Sequence, residues 1–504
     1  MNCHYFKRLA LFGLTALLMP MASFAEDVEI DGISYTISSD LTAEVISGSY
    51  SGEIVIPSSV TYEEQTYSVE SIAKSAFANS GLTSVFIPAS VSVIGNGAFE
   101  GCKSLTSIQV EEGNPTYDSR DNCNAIVNTA SNTLIYGCQT TVIPATVSTI
   151  GSGAFSGQTG LTEITIPETL TGIASDAFKG CTGLTSVTIN SLDLIAAPRT
   201  PKTSFKSIFG DQVENYEITV ETSVIGNYAF YGCAAMKSFT IPDIVTEIGT
   251  SAFSMCSGLT SITLPAGLTT ISSHAFYKCS GLTSISIPEG VEVIEGDAFS
   301  LCRGLRSVEL PGSLAMIGTA AFYGCSGLPS IDIPEGVDSI GRDAFSYCLA
   351  LTSIEIPSGV QYIGNFTFYS CQSLNTVKIG AGVAAIGSNA FSYCTQLGLI
   401  ECYTEVMPEI EDDAFVNVSV AGISLLVPED QQEEFRNHPV WGMFFDDSEG
   451  TTFYFDDPTG IRSAGIEAQA MEAYDLSGRK QNGLQHGLNI IRMTDGTTKK
   501  VIVK

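Results

Sequence analysis

The sequence predicts a solenoid of short stacked coils, and three observations carry that expectation. Phenylalanine recurs at an unbroken interval of 23 residues at Phe230, Phe253, Phe276, Phe299, Phe322, Phe345, Phe368 and Phe391. Most intervals repeat the same marks in the same order, including a proline, an Ile-Gly pair and a cysteine. Hydrophobic residues make up 44% of the chain and charged ones only 15%, which suits a large buried core and not a disordered polymer. A chain of 504 residues has room for several ordinary domains, but a repeat array reaches this size as one body.

One coil, read from Cys279, runs C-S-G-L-T-S-I-S-I-P-E-G-V-E-V-I-E-G-D-A-F-S-L. Leu282, Ile285 and Ile287 reproduce the L-x-x-L-x-L core of a leucine-rich repeat. Ile285 and Ile287 share one face of a short strand, because strand side chains alternate. Pro288 then withholds a backbone donor and ends the pairing. Val291, Ile294, Ala298 and Phe299 return on the opposite wall through a turn or a short helical segment. Glycine follows the second-wall isoleucine in most coils (Gly249, Gly318, Gly341, Gly364, Gly387), as a backbone position with positive φ would favour. Phe155 and Phe178 keep the spacing of 23, Phe77 and Phe99 are 22 apart, and Phe391 and Phe415 are 24 apart. With Phe209 as a degenerate coil, the expected fold is a leucine-rich-repeat solenoid of about 14 coils, a right-handed superhelix or horseshoe. Burying each repeat phenylalanine contributes roughly 1.5–3 kcal/mol.

The ends read differently. Lys7 and Arg8, the apolar run Leu9 to Met19 and Ser23-Phe24-Ala25 make residues 1–25 a secretory signal peptide. The run is shorter than the roughly 20 apolar residues a membrane span needs. Residues 26–71 are expected to form an N-terminal cap and 72–425 the solenoid, with an insertion at 110–142 and the degenerate coil at 190–215. A C-terminal cap at 426–445, a linker at 446–459 and a small β-rich module at 460–504 complete the chain.

The unit L-T-S-I-x-I-P-x-x-V-x-x-I-G-x-x-A-F-x-x-C, as in Leu351 to Cys371, resembles the BspA-like leucine-rich-repeat surface proteins of Bacteroidetes and some spirochaetes. The likeness covers about Val28 to Phe445. Ile30-Asp31-Gly32-Ile33-Ser34-Tyr35 and Gly52-Glu53-Ile54-Val55-Ile56-Pro57 resemble that family's N-terminal cap. Leu426-Val427-Pro428, Pro439-Val440-Trp441 and Phe444-Phe445 resemble its C-terminal cap. The tail from Tyr474 to Lys480, Gly487 to Arg492 and Lys499 to Lys504 resembles the C-terminal sorting modules of secreted Bacteroidetes proteins. The resemblance implies an adhesive or ligand-binding role outside the cell, with no catalysis and no cofactor.

The 54 acidic against 23 basic residues give a net charge of −31, which repels nucleic acid and anionic membranes. Cys102, Cys181, Cys233, Cys256, Cys279, Cys302, Cys325, Cys348, Cys371 and Cys394 all stand three places after a repeat phenylalanine. One cysteine per coil at fixed phase reads as a packing column of free thiols, and the absence of a C-x-x-C pair argues against a metal ladder. Cys402 falls in register with Ile287 and Ile356 and reads as core. Cys123 and Cys138 lie in the insertion, where Ala125-Ile126-Val127 and Leu134-Ile135-Tyr136 flank a turn at Thr129 to Asn132. A symmetric hairpin places them opposite each other, so a disulfide is open to them in an oxidising compartment.

Chemistry is sparse. His274, His438 and His486 fall in one coil, the cap and the tail, so a Ser-His-Asp or Cys-His arrangement would rest on His274 alone. His274 reads as an exposed turn residue before Ala275. No phosphate loop, dinucleotide fingerprint or zinc-protease motif is present. Paired carboxylates for glycoside hydrolysis stay open, because acids are abundant.

Two columns vary between coils. Outward strand positions run Thr165, Thr188, Thr240, Thr263, Ser286, then Glu309, Asp332, Glu355, a candidate strip for a cationic partner or a divalent cation, or else an exposed face screened by water and salt. The residue after the repeat phenylalanine alternates Tyr231, Ser254, Tyr277, Ser300, Tyr323, Ser346, Tyr369, Ser392. Tyr277, Tyr323 and Tyr369 either stack on sugar rings or anchor a partner, or cover the core's edge where serine neighbours leave room. The expected function is a secreted or cell-surface binding protein for an extracellular protein or polysaccharide. A structural spacer without a ligand is the alternative, and a carbohydrate-active enzyme the remote one.

Overall fold

The computed structural model describes residues 25–420 and 422–445, and the strands Phe453–Phe455, Ala470–Tyr474, Lys480–Gln481, Gly487–Met493 and Thr498–Val503. The expected signal peptide, most of the linker and parts of the tail lie outside the described residues. The chain divides into two compact units, Met1–Ser119 and Arg120–Lys504.

In the first unit, Ala25–Ile30, Ile33–Ser38 and Thr42–Val45 pair as an antiparallel meander. Asp31 and Gly32 both take positive φ between Ile30 and its partner Ile33, which a two-residue hairpin of matching twist requires. Thr42–Val45 then runs parallel to Gln65–Ile72. Ser51–Val55, Gly81–Ile87 and Ser107–Val110 form a separate parallel sheet, the wall of the first coils.

The second unit is built from coils with three edges. The first wall consists of strands of three or four residues stacked in parallel, such as Ser238–Thr240 on Ser261–Thr263 and Ser353–Ile356 on Thr376–Ile379. Its isoleucines point inward, since Ile285 and Ile354 are buried while Ser284, Ser286, Ser353 and Glu355 are exposed. The second wall, expected as a turn or a short helical segment, is a two-residue parallel strand, as in Val293–Ile294 on Met316–Ile317. In the degenerate segment the helix Leu192–Ala196 replaces it, and a second helix, Phe205–Phe209, takes the place of the corner.

The third edge is the phenylalanine corner. The amide of a repeat phenylalanine donates to the carbonyl of the residue before the next repeat phenylalanine, as with Phe276 to Ala298 and Phe299 to Ala321 at 2.8 Å and Phe345 to Thr367 at 2.9 Å. Amides two places before and two places after do the same, as with His274 to Gly296 and Lys278 to Ser300. These flanking positions carry positive φ whatever residue stands there, including His274, Asp297, Tyr347 and Tyr393. Inside the corner the rings stack nearly parallel, 5.2–5.6 Å apart from Phe230 to Phe415. Trp441 and Phe444 meet Phe415 edge-on and cover the last ring of this stack, and the Trp441 indole donates to the Pro408 carbonyl.

Two expectations need correction. The glycines after the second-wall isoleucines do not have positive φ; at Gly249, Gly318 and Gly341 the preceding coil's backbone leaves no room for a side chain. A Cβ at Gly341 would stand 2.4 Å from Thr319 N, and one at Gly318 would stand 2.7 Å from Glu295 C. The solenoid also has about 17 turns where the phenylalanine marks count 14. The extra turns have wall strands but no Ala-Phe corner, as at Ser107–Val110, Ser424–Pro428 and Phe453–Phe455.

Candidate functional site

Packing accounts for most of the repeat. The column thiols are buried, and nine of them donate to the phenylalanine carbonyl of the preceding coil at 3.0–3.3 Å, from Cys102 to Phe77 through Cys394 to Phe368. Burial pushes Cys233, Cys302, Cys348 and Cys394 up to about 12 and Cys181 to about 11. These thiols stay protonated and inert at neutral pH, so they hold the coil and offer no nucleophile. Cys402 is buried as expected.

The insertion forms the expected hairpin, Ala125–Asn128 against Thr133–Gly137 around the turn at 129–132. Ile126 faces Tyr136 while Val127 faces Leu134, so a bulge at Ile135 breaks the symmetry that would set Cys123 opposite Cys138. Cys138 is an unbridged thiol donating to the Asn124 carbonyl at 3.3 Å, and Cys123 is buried with its sulfur 3.7 Å from the Ala125 carbonyl.

His274 is a turn residue, with Nδ1 2.8 Å from the Ser273 hydroxyl and Nε2 3.7 Å from Asp297 Oδ2. The Ser273 hydroxyl also donates to the Gly296 carbonyl at 2.9 Å. Among the described residues, no group of three His, Cys, Asp or Glu side chains is arranged to hold a metal ion.

The outward column is in register within each sheet of the first wall. Thr240 faces Thr263, Ser286 faces Glu309, and Glu355 faces Lys378, which in turn faces Glu401. Glu309, Asp332 and Glu355 are all exposed. Lys378, absent from the sequence reading, donates to Glu355 at 3.3 Å and so neutralises one end of the acidic run. Glu401 leaves the surface; it is buried and accepts from the Tyr403 hydroxyl at 2.6 Å, and burial with that bond raises the Tyr403 pKa. Glu217 also belongs to this column, facing Thr188, and was hidden because the degenerate coil breaks the interval of 23.

The tyrosine column is half-buried at Tyr277, Tyr323 and Tyr369, while Ser254, Ser300, Ser346 and Ser392 between them are buried, as expected if the tyrosines cover the edge of the core. The more exposed rings are two that the sequence reading passed over, Tyr347 and Tyr393, each 39% exposed one place further along. They interleave with the others edge to face, Tyr323–Tyr347 at 5.4 Å, Tyr347–Tyr369 at 5.5 Å and Tyr369–Tyr393 at 5.2 Å. The Ser-Tyr dipeptides that follow Phe345 and Phe391 were the available signal.

Where the repeat degenerates, the wall opens. Asn215–Ile218 pairs back to Ser186–Ile189, but Ser238–Thr240 begins a new sheet. A cleft of about 490 Å³ lies there, lined by Tyr216, Glu217, Ser238, Phe239, Thr240 and Pro242 among others.

This architecture has relatives. Residues 53–136, 130–207, 199–329 and 315–437 match the family model of the BspA type leucine rich repeat region. The chain belongs to that family. A leucine-rich repeat protein from Bacteroides ovatus ATCC 8483 is similar over 77% of this chain and 99% of its own, at 28% identity and a TM-score of 0.54. A leucine rich cell surface protein from Faecalibacterium prausnitzii A2-165 is 28% identical over 75% of this chain and 94% of its own, with a TM-score of 0.35. No curated protein matches the chain. BspA-type proteins are non-enzymatic repeat proteins of surface-interaction type, and the family match ends at residue 437, before the tail. No helix among the described residues is long and apolar enough to cross a membrane.

Proposed function

We propose that this BspA-type chain is an exported surface protein that binds a macromolecular partner through the outward face of its first wall. Export is read from the signal-peptide pattern of residues 1–25. The observation that supports binding is the division of labour within each coil. Phenylalanine, cysteine, isoleucine and glycine are used up by stacking, while the outward column is free to change from hydroxyl at Thr240, Thr263 and Ser286 to carboxylate at Glu309, Asp332 and Glu355. Carboxylates one coil apart, about 5 Å, repel each other, which a basic protein partner would relieve.

The test is capture of basic extracellular-matrix proteins by the whole protein at low and high salt. The triple variant E309K/D332K/E355K is expected to abolish capture, and K378E, which unmasks Glu355, to strengthen it. Unchanged capture by the triple variant overturns this site.

A further inference from the structure

Tyr323, Tyr347, Tyr369 and Tyr393 form one continuous row of rings across four successive coils. Each of these side chains ends an apolar ring in a hydroxyl, so the row offers both apolar ring surface and polar donors and acceptors. A pyranose ring has the matching character, with C–H bonds on its faces and hydroxyls around its rim. Its C–H bonds seek the electron-rich faces of aromatic rings.

Charge selects among polymers. None of residues 323–327, 346–350, 369–373 and 392–396 carries a charge, although the chain as a whole stands at −31. An acidic polysaccharide is repelled by the protein's overall field and finds no cation in the strip. A basic protein segment finds no carboxylate there. The complement to this strip is an uncharged, polyhydroxylated chain.

Spacing selects further. Tyr347 and Tyr393 occupy the same place in coils 46 residues apart, and both hold the left-handed backbone that lifts this position outward, with φ of 59° and 62°. Two coils advance about 10 Å along the solenoid. In an extended 1,4-β-linked pyranose chain each ring is turned over relative to the last, so every second ring presents the same face. That disaccharide repeat is of the same length as two coils. We propose that Tyr323, Tyr347, Tyr369 and Tyr393 form a binding strip for an extended, uncharged 1,4-β-linked polysaccharide. The strip shares no residue with the acidic column, so each proposal stands or falls without the other.

The experiment is affinity electrophoresis of the whole protein through native gels containing mixed-linkage β-glucan or xylan. Gels with dextran, which is α-linked, and hyaluronate, which is anionic, serve as comparisons. Retardation is expected in the first two only. The variant Y347S/Y393S should weaken it by about tenfold, while Y347F/Y393F keeps most of it and E309K/D332K/E355K keeps all of it. Serine is accepted at this backbone position, since Ser370 stands there between the two tyrosines with φ of 59°. Thermal melts of Y347S/Y393S that match the parent confirm that the fold is kept. No retardation by either glucan or xylan overturns the proposal, as does equal retardation of Y347S/Y393S. Loss of matrix-protein capture in Y347S/Y393S, with glycan binding unchanged, assigns the strip to a protein partner and overturns it too.

Discussion

The coils from Phe230 to Phe391 and the segment from residue 190 to 215 solve the same packing problem in different ways. In the regular coils each buried group meets the same partner one coil away: ring on ring, and thiol on phenylalanine carbonyl. In the irregular segment the work of one phenylalanine is split between two. Phe205 donates its amide to Ala229 and meets Phe230 at 5.3 Å, while Phe209 meets Phe178 at 4.9 Å. Arg199 lies over Phe205 at 4.2 Å, its Nε buried without a hydrogen-bond partner, and burial lowers its pKa to about 10. The corner's hydrogen bonds survive the irregularity, but side-chain complementarity does not. Backbone pairing is therefore the more tolerant half of the design, and self-matching side chains the more exacting half.

The largest expected difference between the two regions is in alkali. A folded thiol pushed from 9.0 to about 12 keeps a proton that the unfolded chain has already released. Between pH 9 and about 12 the folded state thus binds more protons, so stability falls as pH rises through that window. Each such thiol contributes a slope of about 1.4 kcal/mol per pH unit. Urea midpoints should hold steady up to pH 8.5 and drop steeply by pH 10.5. Replacing Cys302 and Cys348 with serine should flatten that drop, and Cys181→Ser should flatten it less, since Cys181 reaches only about 11. A midpoint independent of pH across this range refutes the buried-thiol account.

Ring stacking should separate the regions next. Phe299 lies between Phe276 and Phe322, each 5.4 Å away, with no second ring able to take its place. Phe299→Ala should cost about 4–5 kcal/mol in chemical unfolding, near the top of the range for such truncations. Phe209→Ala should cost about 3 kcal/mol, because Phe205, with its centroid 6.1 Å away, can shift toward the gap. Equal costs at the two sites would mean that the split pair packs as rigidly as the regular stack.

Much of this was readable in the residues. The interval of 23 gave the coil, its walls and the inward isoleucines, because each follows from a period that one chain repeats many times. The thiol column was legible as packing, but its hydrogen bond to the preceding coil was not, since no residue type announces a sulfur-to-carbonyl contact. Tyr347 and Tyr393 were missed for a related reason: a one-place shift in the variable part moves a side chain from the covered edge to the surface. Lys378 breaks the acidic run one coil beyond Glu355, where no change in the repeat's fixed marks signals it. The bulge at Ile135 parted Cys123 from Cys138, and hairpin symmetry alone does not reveal a bulge.

The smallest effect concerns the glycines, where the sequence pointed to the right residue for the wrong physical reason. If positive φ were the requirement, alanine would cost about 1 kcal/mol at each of them through backbone strain alone. The structure instead sets Gly341 against the backbone of the preceding coil, with Thr319 N and Gly318 C at 2.4 and 2.6 Å from where a Cβ would stand. Backbone atoms cannot swing aside as a flexible side chain can, so Gly341→Ala must spread two coils, at about 1–3 kcal/mol. Gly296 provides the control, since its Cβ would meet only the Thr319 carbonyl at 3.3 Å, and the equivalent of Gly341 in its coil is already Glu295. Gly296→Ala should be within about 0.5 kcal/mol of the parent. The coil that carries glutamate at this place is thus a natural exception, and placing glycine there, as Glu295→Gly, should relax nothing. A gain in stability from Glu295→Gly would show that this coil too is crowded and that the spacing between coils is more uniform than the contacts imply.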